Sequence, residues 1–435
     1  MLQYNPMFIV VILSIIPVVI WSLMEPLGLR FLNLSTITTS IGQILGLIGM
    51  VLFSINLILA GRFKFLDRYF KGLDKVYSHH SKIGSIAFSL ILFHPLLLVV
   101  KYLAISTREA GLFFVPFLNM PITWGIISLI IMIVLICLTF YIKIKYHIWK
   151  ISHKFMVVAF SFAVLHTLFI SSDISRNNIL KYYILILAFT GLVVSVRQVF
   201  LNKILVKKLE YKVKHINQLN QDIVEIEMEP LGKKIVFDPG QFAFFSFLGE
   251  SVSSESHPFS ISSSNEEKTL KVTIKNLGDY TGLLKNLSTG QTGLKINDGV
   301  LIDGPYGNFS YKKINNKNQI WVAGGIGITP FLSMAKGLSN DYKVDLYYSV
   351  KKIEEAVYKK DFEEISKKNP NFIFNLWNVT EQGYLNSGLI LNLSKGLDSK
   401  DIFLCGPPMF MESLKSQFIA LGVDIKRIHY ENFSF

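Results

Sequence analysis

Cysteine is nearly absent. Cys137, inside an apolar run, and Cys405, far along the chain, are the only two thiols in 435 residues, so neither a disulfide framework nor a cysteine metal site is available. Charge is scarce too: Asp, Glu, Lys and Arg make up 17%, against roughly 25% in soluble domains. Acids are the scarcer sign, 31 against 44 bases, for a net charge of +13. A basic excess suits nucleic acid, but these bases sit in short loops between apolar runs. Membrane orientation accounts for them there, and no nucleic-acid partner is expected. The N-terminus lacks a basic region and a small-residue cleavage site, so the first apolar run reads as a retained helix and not a signal peptide. There is no long internal repeat, low-complexity tract or EF-hand loop.

What is abundant is apolar surface. Half of the residues are apolar and the mean hydropathy is +0.41, with the excess concentrated before residue 200. The length allows two or three domains. Six apolar segments are expected, at about Met7–Met24, Ile41–Gly61, Ile83–Val100, Pro121–Ile142, Phe155–Ser172 and Tyr182–Val196. Each approaches the ~20 residues of a spanning helix, the last by continuing past Arg197. The loops Arg62–Lys82, Lys143–Lys154 and Arg197–Lys208 carry six, four and four bases, and the opposite loops carry one, two and two. That asymmetry puts the first set, and both termini, in the cytoplasm.

Two of these runs carry paired histidines. His80 stands at the entrance of Lys82–Lys101 and His94 inside it; His153 and His166 repeat the arrangement two segments later. The spacings are 14 and 13 residues, or roughly 20 Å along a helix at ~1.5 Å per residue. One such histidine has an ordinary reading, a hydrogen bond to a neighbouring helix. Matching pairs at matching depths point instead to two b-type haems, one on His80 and His153, the other on His94 and His166. The phases disagree: 14 residues return within about 40° of the starting face, whereas 13 leave the second residue about 140° away. The fifth helix must therefore bend or over-twist, or its histidines must reach round. His79 is an alternative to His80 that worsens the spacing, and His147 falls in a basic loop.

After Lys208, short β-like stretches separated by turns suggest an antiparallel barrel. From about Gln319, strands and helices alternate, as in a parallel α/β sheet. His257-Pro258-Phe259-Ser260 offers a hydroxyl and backbone amides for a flavin ring, although an ordinary strand turn would look the same. Lys275, Gly278 and Thr281 surround a glycine turn suited to a pyrophosphate. Gly304 and Gly307 lie in a tight turn before the second domain. Gly324, Gly325 and Gly327, then Thr329 and Pro330, run from an apolar strand into a helix, where backbone can approach a dinucleotide phosphate. Ser349 and Lys351 end the next strand in place of an acid and leave room for a 2′-phosphate, favouring NADPH over NADH. Cys405 and Gly406 end a later strand, where the thiol lines a nicotinamide pocket or is simply buried. A terminal aromatic, Phe433 or Phe435, stacks on a flavin or packs in a core.

Together these residues resemble the ferric reductase / NADPH oxidase superfamily over essentially the whole chain. HPFSIS resembles its flavin motif, GDYTGLL its flavin-phosphate motif, GPYG and GGIGITPF its NADPH motifs, and CGPP and ENF its nicotinamide and flavin-stacking ends. The resemblance implies a six-helix transmembrane haem-binding bundle (1–203), an antiparallel FAD-binding β-barrel (204–315) and an NAD(P)H-binding α/β domain (316–435). The barrel and the α/β domain would form a ferredoxin–NADP reductase-like module. It makes Phe433 the stacking aromatic, because family chains often end there, with Phe435 kept open because this chain continues. It implies FAD, two haems b and NADPH, and a multi-pass protein of a bacterial plasma membrane. The acceptor is dioxygen, ferric iron or an extracytoplasmic redox protein. The lack of a calcium-binding or regulatory domain is similar to minimal prokaryotic oxidases and implies no obligatory regulatory subunit. Animal superoxide producers carry a further polar histidine where this chain has Leu98. Arg30 is the candidate arginine near the outer haem, and Phe160 or Phe162 lies between the two histidine depths.

Overall fold

The computed structural model of the protein describes residues 6–142, 144, 146–201, 208–249, 252–285 and 293–431. It divides into two compact units, one of Met1–Phe70 with Lys75–Leu205 and one of Lys71–Asp74 with Val206–Phe435.

In the first unit, five helical stretches among the described residues are long and apolar enough to cross a membrane: Leu34–Leu59, Leu73–Leu103, Met120–Phe140, Ile148–Phe169 and Asn178–Leu201. The first apolar helix, α1 (Met7–Ser22), is shorter. α2 (Leu34–Leu59) starts earlier than its apolar window because Asn33 caps it, with Thr36 completing a reciprocal box. It is the inner helix of the bundle, buried without a break from Gly49 to Leu57. α3 (Leu73–Leu103) runs well beyond the expected apolar span at both ends and passes through Pro95. α4 is Met120–Phe140. The fifth segment, expected as one helix, is two, α5 (Tyr146–Lys154) and α6 (Met156–Phe169), separated at Phe155. α7 (Asn178–Val196) continues into a π-helical turn, Arg197–Leu201, as the short sixth segment requires. Phe8, Ile12, Val19, Ile186 and Phe189 are exposed, the outward apolar face expected of helices solvated by lipid.

Small residues set the helix spacing. A Cβ at Gly191 of α7 would lie 2.9 Å from the Ser54 carbonyl of α2. On the face of α2 toward α3, a Cβ at Gly49 would meet Ile91 at 2.8 Å and one at Gly42 would meet Leu98 at 3.0 Å. The Gly42-x3-Gly46-x2-Gly49 stripe thus allows close backbone approach where helices have no water to expel.

The second unit holds two sheets. β1 (Leu209–Asn220), β2 (Ile223–Pro230), β3 (Phe242–Leu248), β4 (His257–Ser260), β5 (Leu270–Lys275) and β6 (Gly299–Tyr306) form an antiparallel sheet in the order β4-β3-β6-β1-β2-β5. Its two end strands meet: Ile261 bridges Val272, and the Ser262 amide donates to the Lys271 carbonyl at 2.9 Å, which closes the barrel. Phe245, Phe247, Val213, Ile226, Val272 and Ile302 fill its core. The second sheet is wholly parallel: β7 (Asn318–Gly324), β8 (Lys343–Val350), β9 (Phe372–Asn378), β10 (Asp401–Cys405) and β11 (Ile428–Tyr430), in the order β11-β10-β7-β8-β9. Alternation along β7 sends Trp321 and Ala323 to one core and Ile320 and Val322 to the other. α8 (Thr329–Lys336) and α9 (Lys359–Lys368) cover the first face and α10 (Pro408–Ala420) the second. Polar contacts tie barrel to sheet. Tyr358, in left-handed backbone at the start of α9, places its hydroxyl 2.6 Å from Thr273 Oγ1 and donates to Glu225 at 2.7 Å. Ser333 donates to the Ser263 carbonyl at 2.7 Å.

Candidate functional site

The four histidines form two facing pairs. The His80 and His153 rings have centroids 6.2 Å apart with planes at 71°, and those of His94 and His166 are 6.5 Å apart at 76°. Two metal–imidazole bonds of ~2.0–2.1 Å, with about 1 Å from each nitrogen to its ring centre, ask for roughly 6 Å. Three of the four rings have Nδ1 on a backbone carbonyl: His80 on Asn56 at 2.9 Å, His94 on Gly42 at 2.6 Å and His166 on Pro121 at 2.7 Å. Such a bond fixes the tautomer of a metal-binding imidazole and leaves Nε2 for the metal. Among the described residues there is no group of three or more His, Cys, Asp or Glu side chains fit to hold an ion. Two imidazoles alone under-ligate zinc but suit haem iron, which needs only axial ligands from the protein. The residues therefore fit the group.

The outer pair sits in two matching notches. His94 meets the carbonyl of Gly42 and the bare Cα of Gly46, where a Cβ would lie 2.7 Å from the ring. His166 meets the carbonyl of Pro121 and the bare Cα of Gly125, where a Cβ would lie 2.9 Å from the ring. In both, a carbonyl at i and a glycine at i+4 open one face of a helix to an imidazole. The phase problem of the fifth segment is met at Phe155. There the Phe155 amide donates to the Ser152 carbonyl and the Val158 amide to the Phe155 carbonyl, i→i+3 bonds that wind the chain more tightly than an α-helix. The extra rotation has the sign needed to bring His166 back toward the face of His153.

Between the two layers, Phe160, fully buried, meets Phe53 edge to face at 4.8 Å. His79 packs on Phe70 instead of joining a pair. The side chain of His147 lies outside the described residues. Arg30 is buried; it donates to Asp173 at 2.8 Å and lies 3.9 Å over the Trp21 ring. Trp21 Nε1 donates to the same carboxylate at 2.9 Å and to Gln43 at 3.1 Å.

In the second unit, the motifs separated in sequence converge. His257, Pro258, Phe259 and Ser260 form β4, paired with β3, and Ser260 is buried. His257 stacks on Tyr280 at 3.7 Å and 21°, joining the HPFS and GDYTG stretches. Lys275 ends β5 opposite Ile223. The Thr281 hydroxyl accepts from the amides of Leu277 and Gly278 at 2.9 and 3.0 Å and so organises that turn. Gly304 backs onto Ala243, and Gly307, at φ +95°, faces Phe242 and the Glu431 carboxylate, leaving no room for a Cβ. Gly324 and Cys405 end β7 and β10 at the point where the strand order diverges, the usual ligand crevice of an open α/β sheet. A Cβ at Gly327 would lie 2.3 Å from the Cys405 carbonyl, and one at Gly406 would lie 3.0 Å from the Gly324 Cα. The two glycine motifs are thus in backbone contact. Thr329 and Pro330 open α8 and are buried. Lys351 is exposed just past β8, its carbonyl held by Thr380. The Cys405 thiol is buried, and burial first and the Glu431 carboxylate second push its pKa far above the ordinary thiol value. Phe433 and Phe435 lie outside the described residues. Glu431 is the residue sequence reading passed over. It is 2% exposed and touches both the Gly307 turn and the electrostatics of Cys405; a lone terminal acid carries no signal of this.

Three family models match the chain in series: a ferric reductase like transmembrane component over residues 45–164, an FAD-binding domain over 208–310 and an oxidoreductase NAD-binding domain over 321–416. The chain belongs to the ferric reductase / NADPH oxidase superfamily. Within that superfamily, the membrane model spans His80, His94 and His153, and the other two models cover the barrel and the parallel sheet. The toluate 1,2-dioxygenase electron transfer component of Pseudomonas putida is 24% identical over 51% of this chain and 66% of its own. A flavohemoprotein of Candida albicans is 26% identical over 50% and 58%. The chain spans between 38% and 66% of the length of these and two other curated relatives. Among solved structures, a flavohemoglobin from Malassezia yamatoensis with bound FAD and heme aligns with a TM-score of 0.50 at 16% identity, over 91% of this chain and 96% of its own. The FAD/NAD-binding domain of a Vibrio cholerae nitric oxide dioxygenase aligns with a TM-score of 0.44 at 24% identity, over 51% and 97%.

Proposed function

We propose that the protein is a transmembrane NAD(P)H oxidase, passing electrons from cytosolic NAD(P)H through FAD and two b-type haems to extracytoplasmic dioxygen, which becomes superoxide. The observation that carries this reading is the doubled imidazole pair at 6.2 and 6.5 Å, with backbone carbonyls behind three of the four rings. When bound, FAD takes a hydride from the nicotinamide and releases electrons singly, and haem iron relays them one at a time.

His80 and His153 would hold the inner haem and His94 and His166 the outer. Phe53 and Phe160 pack the interval between the two layers and keep it dry. The backbone of Gly324, Gly325 and Gly327, with Thr329 and Pro330 opening α8, seats the dinucleotide diphosphate. Lys351 attracts a 2′-phosphate and selects NADPH over NADH. Lys275, Gly278 and Thr281, with β4 and Ser260, hold the flavin, and Gly304 and Gly307 keep the passage to the second domain open. Phe433 is the aromatic proposed to cover the flavin, with Phe435 as its alternate. Cys405 presents a protonated thiol beside the nicotinamide, with Glu431 behind it. The base asymmetry of the loops supports both termini in the cytoplasm, and the membrane is read as a bacterial plasma membrane.

Dioxygen is favoured because the contacts of His94 on α2 are Gly42 and Gly46, with Leu98 packed on Gly42. Apolar packing admits a small apolar acceptor. The family model's own description supports a second reading, a transmembrane ferric reductase. Purified protein given NADPH and cytochrome c separates them: reduction suppressed by superoxide dismutase supports the oxidase, and reduction indifferent to dismutase sinks it.

A further inference from the structure

His153 differs from the other three histidines. Its Nδ1 is inaccessible to solvent and has no hydrogen-bond partner among the described residues, whereas the other three Nδ1 atoms reach backbone carbonyls. A metal-bound imidazole normally takes its orientation from such a bond. What His153 has instead is Trp149, one turn earlier on α5, with ring centroids 5.4 Å apart and planes within 25°. Residues four apart on a helix share a face, so the stack is built into the helix. The indole is held from outside its own helix: Trp149 Nε1 donates to Thr139 Oγ1 on α4 at 3.3 Å.

We propose that Trp149 is a positioning residue for the inner haem ligand: its indole, pinned to Thr139, fixes the plane of the His153 imidazole by stacking, in the role that backbone carbonyls play for His80, His94 and His166. The inference rests on the haem reading above. It makes the two centres unlike: two carbonyl-held rings at the outer one, and one carbonyl-held and one stacked ring at the inner one. The 71° between the His80 and His153 planes is then a property that Trp149 maintains.

The test uses the full chain purified with its native haem, in wild type and in Trp149→Leu, Trp149→Phe and Thr139→Val. The low-temperature low-spin EPR spectrum reports the angle between axial imidazole planes, and a redox titration of the visible bands reports each midpoint. His94→Leu, which retains only the inner centre, identifies its signal. The expected result is that Trp149→Leu moves the largest g value and the midpoint of the inner centre, or loses that centre, while the outer is unchanged. Trp149→Phe restores the wild-type spectrum and Thr139→Val gives a smaller change of the same kind. Unchanged inner signals in Trp149→Leu, or failure of Trp149→Phe to restore them, overturn the inference. A wild-type protein without bis-imidazole low-spin haem overturns the haem reading itself, before any substitution is made.

Discussion

A Cβ on Gly46 would stand 2.7 Å from Nδ1 and Cε1 of His94. That distance is too short for any packed contact, and the ring cannot retreat, because its Nδ1 is already bonded to the Gly42 carbonyl one turn away. Gly125 and His166 stand in the same relation across the bundle.

Gly46→Ala and Gly125→Ala are therefore expected to unseat the outer pair alone. Each variant should retain about one haem of two, as His94→Leu and His166→Leu should, because the inner pair rests on other residues. A pyridine haemochrome assay against protein concentration measures this. Two full haems in both alanine variants would contradict the notch.

Phe160 is fully buried between the histidine layers and leans on Phe53. Phe160→Ala should cost about 3–5 kcal/mol through lost contacts and an unfilled cavity. Thermal unfolding in detergent, followed by loss of the haem absorbance band, should show a lower midpoint than wild type. An unchanged midpoint would mean that the layer between the pairs is not packed as described.

Cys405 makes a prediction about pH. Its pKa is raised above the unfolded value, by burial and then by Glu431. The neutral thiol is thus favoured by folding: this contribution is fully present below the ordinary thiol pKa of ~8.5 and is lost as pH rises toward the folded value. Iodoacetamide at pH 8.5 should spare Cys405 in the native protein and modify it rapidly in denaturant, as read by peptide mass spectrometry. Equal rates in the two states would contradict a buried thiol.

Lys351 stands exposed just beyond β8 where an acid would select NADH. Lys351→Ala should raise KM for NADPH about tenfold, equivalent to ~1.4 kcal/mol, and leave KM for NADH nearly unchanged. Parallel changes for both nucleotides would remove the lysine from 2′-phosphate recognition.

Much of this was legible in the sequence because it depends on residue type and spacing. Paired histidines in apolar runs, a change from apolar segments to β-like stretches near residue 208, and the ordered glycine motifs were all visible, and the sheets carry those motifs on strand ends as expected. The 13-residue spacing of His153 and His166 asked either for an irregular helix or for histidines that reach round, and did not say that the chain would turn at Phe155. What stayed hidden depends on register between elements distant in sequence. Gly42-x3-Gly46 reads as a helix-packing stripe, yet that it faces His94 follows only once α2 and α3 are packed. Nothing in the sequence marks Trp149 as a partner of His153 or Glu431 as a buried acid beside Cys405. The engagement of Arg30 with Asp173, more than 140 residues away, could not be read from composition.

Electrons are proposed to cross the bilayer along the two histidine pairs. The most direct measurement puts the purified protein in sealed vesicles with cytochrome c in the lumen and NADPH, which does not permeate, outside. Only molecules with the flavoprotein unit outward can then respond. The expected result is reduction of luminal cytochrome c that depends on outside NADPH, is suppressed by luminal superoxide dismutase, and is abolished in His94→Leu. Reduction confined to the outside, or luminal reduction that survives His94→Leu, would contradict it.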